Sequence, residues 1–181
     1  KKIRNSNVNL FLNKKFIDPL QKDYDFVIYC IYSDTPNFEN KFEYQLVEKT
    51  IIKLPSSFKN KSYVFVDGKF FNIDPYLGTS NHLISSVIFS KLKISNQKQK
   101  IPKRKSVFAK VIKSSERFLP ILKKAKYVNH FYTHRIIKKS SKKNDSRLTE
   151  IIRDKKNKKI YIFSGKWNSV IETTNEIKKI L

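Results

Sequence analysis

Residues 118–136 read FLPILKKAKYVNHFYTHRI, and the rhythm of the stretch changes halfway. Its first part spaces Phe118, Leu119, Ile121, Leu122 and Ala125 along one broad helical face. Its second part alternates. Tyr127, Asn129, Phe131, Thr133 and Arg135 fall on one side of an extended strand, and Val128, His130, Tyr132, His134 and Ile136 on the other. The spacing therefore predicts a short basic helix running straight into an aromatic strand. Ser114 or Ser115 can cap that helix, and Pro120 falls near its first turn, where a missing N–H costs little.

Outward from this joint, SVFAKVIK (106–113) has a strand-like pattern, and KISNQKQKIPKRKS (93–106) is polar, basic and broken by Pro102. The latter reads as an exposed loop. TSNHLISSVIFSKL (79–92) places Leu83, Ile84, Val87, Ile88 and Leu92 at helical spacing behind Thr79 or Ser80 as N-cap, which predicts a helix. Earlier still, YDFVIYCIY is a strong β run, FEYQLV and TIIKL are weaker ones, and Asp67-Gly68 sits between two aromatic arms as a hairpin signal. Beyond the aromatic strand, KKSSKKNDS reads as a loop, RLTEIIR and KIYIFSG as strands, and Ile177, Ile180 and Leu181 allow a helical tail. The expected fold class is α+β: a β-rich N-terminal extension over 1–73, an α/β domain over 74–136, and a shortened, mainly β domain over 137–181.

With 181 residues, 39% hydrophobic and 13% aromatic, the chain can bury a substantial core. Its charge of +24 is unevenly placed. Lys and Arg number 12 against 9 acids in residues 1–80, but 27 against 6 in residues 81–181. Between Asp74 and Glu116 there is no acid at all. Such a field attracts phosphate backbones without sequence preference. A lysine-rich codon bias would have loaded both halves alike. Scarce glycine and alanine beside abundant Lys, Ile, Asn, Phe and Tyr fit an AT-rich genome, and with no methionine the chain is expected to lack its initiator. Cys30, the single cysteine, can form no internal disulfide and reads as a buried thiol. No apolar run approaches the roughly 18 residues of a membrane span, and no signal peptide is visible.

Chemistry-bearing motifs are sparse. His130 and His134 are four apart, but in a strand-period segment, which points to packing or phosphate contact rather than zinc; His82 has no partner in sequence. The acids form no assignable general acid–base pair. The Ser-Gly-Lys at 164–166 ends like a nucleotide-binding loop without its upstream glycine. No catalytic residue, metal or cofactor is expected. The candidate RNA-binding residues are Ser164, Gly165, Lys166, Trp167 and Asn168 in the turn after the late strand, Lys103, Arg104 and Lys105 in the basic loop, and Arg135. Gly165 admits close backbone approach, Lys166 supplies charge, and Trp167 can stack on a sugar or base.

Three patches resemble the small-subunit ribosomal protein eight (S-eight) family. DPYLGTSNHLISSVIFSKL stands where that family begins with Asp-Pro and an apolar helix, and ILKKAKYV is similar to its Ile-Leu-Lys-x-x-Gly-Phe-Ile junction. IYIFSGKWNSVIETTNEIKK is similar to its late strand, Ser-Thr-Ser-Lys-Gly loop and following segment. Lys126 stands where the family has glycine, and Gly165 where it has threonine. The likeness covers about residues 74–181. It implies ribosomal RNA of the central domain as ligand, a structural and assembly role, and a main RNA-binding loop at 164–168. Together with the composition it favours a divergent mitochondrial ribosome of a protist. Residues 1–73 are expected to meet neighbouring small-subunit proteins, with no membrane and no homo-oligomer. The rival reading is an organellar intron endonuclease or maturase, which is also basic but needs a dense acidic or Gly-framed motif; an accessory module of a respiratory complex is a third.

Overall fold

Residues 42–53 read FEYQLVEKTIIK and send Phe42, Tyr44, Leu46, Glu48, Thr50 and Ile52 to one side of a strand. All six are buried, so this file faces a core. A computed structural model of the chain describes residues 7–17, 24–32, 42–66, 70–139, 149–164 and 169–181. The order of elements is β1 (Val27–Tyr29), β2 (Phe42–Lys53), β3 (Tyr63–Phe65), β4 (Phe71–Pro75), β5 (His82–Ser86), β6 (Lys91–Ser95), α1 (Phe108–Ser115), β7 (Lys126–Lys138), β8 (Glu150–Asp154), β9 (Lys159–Phe163) and α2 (Val170–Ile180). The protein is thus mixed α+β and rich in strands.

Among the described residues there are two sheets. β2 is the spine of the larger one. Along one edge it pairs antiparallel with β7 from Phe42↔Lys138 to Lys53↔Lys126. Along the other it pairs with β5 and β6, and β4 and β3 extend the sheet beyond β5. The smaller sheet has the order β1, β9, β8, with β1 parallel to β9. Two hydrophobic clusters close the structure. Ile52, Phe71, Ile73 and Ile84 of the large sheet meet Val107 and Val111 of α1's first turns and Leu122. Phe42, Tyr44 and Ile136 meet Tyr29, Tyr161 and Phe163 of the small sheet. Both clusters draw on the same face of the large sheet, its packed face. The other face carries Gln45, Lys49, Asn72, Ser85, Thr133 and Arg135 and is the open face. α2 lies on the outer side of the small sheet and bounds with it an apolar cavity of about 610 Å³.

Several expectations are corrected. The helix predicted over 79–92 is two strands, β5 and β6. The two form one antiparallel partner of β2 with an interruption: between Thr50↔Ile84 and Val47↔Lys91, β2 advances three residues and its partner seven. The surplus, 87–90, is folded out and held by Ser90 N–H to the Ser86 carbonyl and Ser86 N–H to Ser90 Oγ, both 2.9 Å. Val87 and Ile88 sit there exposed. Thr79 caps no helix; its hydroxyl closes the β4–β5 turn by accepting Asn81 N–H at 3.0 Å, and Gly78 takes the positive φ of +78° that the turn needs.

SVFAKVIK, read as a strand, contributes most of α1, whose buried Val111 and Ser115 continue at helical spacing from Val107 just before it. The helix predicted after it is a short 3₁₀ turn, Pro120–Lys124, with Pro120 at its start as expected. Ala125 leaves that turn already extended (φ −68°, ψ 131°), so the chain enters β7 without a left-handed residue and Lys126 needs no glycine. FEYQLV and TIIKL are one strand, while only Val27–Tyr29 of the first β run is strand. Cys30 is exposed rather than buried, on the side of β1 that faces the cavity under α2. β3 and β4 pair through Phe65↔Phe71 as the two aromatic arms predict, while the Asp67-Gly68 turn itself lies outside the described residues. β2, from the stretch expected to be an extension, runs through the middle of the sheet.

His82 is 2% exposed, beside the Phe58 ring at 5.4 Å, and among the described residues neither ring nitrogen has a hydrogen-bond partner. Burial pushes its imidazole pKa below the ordinary value, and the nearby Phe58 backbone opposes this only in part. The unfolded chain then binds a proton that the folded chain does not. This contribution to stability is full above the ordinary histidine pKa of about 6.5 and is lost as pH falls through it towards the lower folded value. The melting temperature is expected to drop between pH 7.5 and 5.5, and to drop less in His82→Leu. Equal drops in both proteins would show that His82 does not carry the effect.

Candidate nucleic-acid interface

The basic loop that the sequence places after β6 is not free. Residues 96–106 cross the packed face as a strap between the two clusters, and each fastening is a named bond. Gln99 Nε2 donates to the Tyr44 carbonyl at 3.3 Å, and His134 Nε2 meets the Gln99 carbonyl at 3.0 Å. A carbonyl only accepts, so His134 carries its proton on Nε2. The far end is tied to Glu48, the one acid in β2's inward file. Its carboxylate is fully buried and accepts Thr50 Oγ1 at 3.1 Å, Ser106 Oγ, and the Val107 N–H at 3.1 and 3.2 Å. Ser106 Oγ in turn accepts the Phe108 N–H at 3.1 Å. A negative group among the unpaired N–H groups at a helix start is favourable both as acceptor and against the helix dipole. Glu48 therefore sets where the strap stops and α1 begins.

On β7 a second set of bonds backs the strap. The strand skips one residue against β2 between Ile51↔Asn129 and Ile52↔Tyr127, and this bulge at Val128 turns Tyr127 onto the side of His130. Strict alternation placed Tyr127 on the opposite side. Tyr127 Oη lies 2.6 Å from His130 Nδ1, His130 Nε2 lies 3.1 Å from Tyr132 Oη, and Tyr132 Oη donates to the Arg104 carbonyl at 3.5 Å. Because Tyr132 gives its own proton to the Arg104 carbonyl, His130 Nε2–H is the donor to Tyr132 Oη, and Nδ1 closes the row with the Tyr127 hydroxyl. Burial, with Glu48 adding to it, pushes the Tyr132 phenol pKa up and keeps that donor in place. His130 and His134 thus serve as hydrogen-bonding supports, and among the described residues no three His, Cys, Asp or Glu side chains converge as a metal site would require.

What the strap presents outward is charge. Lys98, Lys100, Lys103, Arg104 and Lys105 are exposed along it, followed by Lys110 and Lys113 on α1 and Lys123 and Lys124 on the 3₁₀ turn. The layer that covers the core is also the cationic surface, and its acid-free stretch ends only at the half-buried Glu116. Of the residues predicted from sequence, Lys103, Arg104 and Lys105 come together here. Arg135 does not: it lies on the open face, where Nε and Nη2 donate to Gln45 Oε1 at 3.0 and 2.7 Å. Ser164 follows the end of β9, and its Oγ is 3.2 Å from Ser169 Oγ, which also accepts from Thr149 Oγ1 at 2.7 Å. Gly165, Lys166, Trp167 and Asn168 lie outside the described residues. Phe131 is exposed on the open face, while His130 and Tyr132 are occupied in the row.

The sequence reading missed Glu48, Gln99 and Lys49. A signal for Glu48 was present, since it is the single charge in an otherwise inward-facing file of β2. Comparison with models of protein families, with curated proteins and with solved structures finds no match to the chain. Among the described residues no helix is long and apolar enough to cross a membrane.

Proposed function

We propose that this chain is a non-catalytic RNA-binding protein and a structural constituent of the small ribosomal subunit, with ribosomal RNA lying against the strap and α1. The observation that carries the RNA reading is the acid-free, exposed cationic layer held rigid by Glu48 and the β7 row. Electrostatic attraction of this kind acts on phosphates and fixes position rather than reading bases. The ribosomal and mitochondrial part of the reading rests on the patches at 121–128 and 160–179 and on the AT-rich residue usage. The remaining patch, 74–92, expected to hold a helix, folds as strands and lends it nothing.

Full-length protein is expected to bind structured RNA with log K falling against log salt at a slope on the order of −4 or steeper, as several neutralised phosphates require. It is also expected to sediment with the small ribosomal subunit in a mitochondrial extract. A slope near zero would remove the RNA reading. Sedimentation with a membrane complex would remove the ribosomal one.

A further inference from the structure

Lys49 stands near the middle of the central strand, half-buried on the open face. Its Nζ donates to a neutral group, Ser85 Oγ, at 2.9 Å. The carboxylate on this face beside it, Asp74, accepts Ser62 Oγ at 2.6 Å and Asn72 Nδ2, while Asn72 Oδ1 accepts Ser85 Oγ at 2.5 Å. The ammonium is therefore joined to Asp74 through two neutral side chains rather than directly. Arg135, oriented by Gln45, lines the same cavity of about 340 Å³, and so does Lys91. Burial pushes the Lys49 pKa down; Asp74 opposes this and Arg135 adds to it. Cations gathered on rigid strands at a half-buried place repel one another until an anion arrives.

We propose that this cavity is a phosphate-binding pocket, in which Lys49, Lys91 and Arg135 supply the charge, Thr133 and the second Nδ2–H of Asn72 the hydrogen-bond donors, and Ser85 holds the Lys49 ammonium and Asn72 in place. The space suits a phosphoryl group together with part of what bears it. The phosphoryl group belongs either to an RNA backbone or to a small phosphate ester. The site goes beyond the strap. It opens on the other face of the sheet, so the two are separable by mutation.

The test uses inorganic pyrophosphate and a structured RNA with the full chain. Pyrophosphate is expected to bind by calorimetry and to shift the amide resonances of Ser85 and Thr133. Lys49→Met, which keeps the apolar stem, and Arg135→Gln should each weaken it tenfold or more. The K103E/R104E/K105E variant should change it less than twofold. If Lys49→Met also weakens RNA and pyrophosphate competes with RNA, the pocket holds a backbone phosphate; if RNA binding is unchanged, it holds a small phosphate ester. Loss of RNA affinity without pyrophosphate binding assigns it to a phosphodiester. Unchanged affinity of Lys49→Met for both probes overturns the proposal. Should that variant not fold, resonance shifts confined to the strap of the unmodified protein overturn it equally.

Discussion

Glu48→Ala is expected to lower the stability of the protein by roughly 3 to 5 kcal/mol, a large part of what holds a domain of this size together. The carboxylate accepts from Thr50, Ser106 and Val107 at a fully buried position. Alanine leaves those donors without their acceptor and removes the group that fixes the start of α1. The packing of Val107 and Val111 against Ile52, Ile73 and Ile84 depends on that start. Glu48→Gln, which keeps an acceptor oxygen but not the charge, should lose about half as much. Chemical denaturation followed by circular dichroism checks both. A midpoint for Glu48→Ala within error of the unmodified protein would mean that the helix start is fixed by other contacts.

K103E/R104E/K105E should weaken RNA binding by on the order of a hundredfold at moderate salt and flatten the slope of log K against log salt by about 2 to 3, one counterion-releasing contact for each side chain. These side chains are exposed, and the strap is held through Gln99, the Arg104 carbonyl, Ser106 and the Val107 N–H rather than through them, so folding should be little changed. The matched control is K53E/K59E/K61E, which alters charge equally at exposed lysines in the N-terminal half. If both triple variants lose the same affinity, the strap is only a part of a diffuse positive field. If the strap variant alone loses it, the interface is local.

β7 was legible because its run of aromatic and β-branched side chains, unbroken by glycine or proline over thirteen residues, favours an extended chain. Its bulge was not, because a skipped residue is a property of the pairing and not of either strand alone. The stretch over 79–92 misled for a definite reason. Val87 and Ile88 complete a helical stripe on paper, yet they belong to a four-residue excursion and face solvent, whereas the buried positions are His82, Ile84, Ser85, Ser86 and Ser90. Conversely, 106–113 is β-branched enough to read as strand, and a carboxylate from a residue 59 positions earlier gives it a helix start. Of the candidate site, the charge was visible in composition. The support for it came from Gln99, Tyr132 and His134, whose partners only the sheet pairing brings near.

The parallel pairing of Val27 with Lys159 has a bearing on how the molecule comes to exist. During synthesis β1 emerges first, and its partner β9 follows more than a hundred residues later, which at ordinary elongation rates is roughly ten seconds or more. β2 waits similarly for β7, its partner along an entire edge. Native pairing of such remote segments must repay the entropy of closing a long loop before it gains anything, so acquisition of structure is slow and comes late. Through that interval Tyr29, Phe42 and Tyr44, which the finished fold buries, are presented to the surroundings. The nascent chain therefore passes through a stage at which whatever covers those rings, a chaperone or a binding partner, decides between assembly and aggregation.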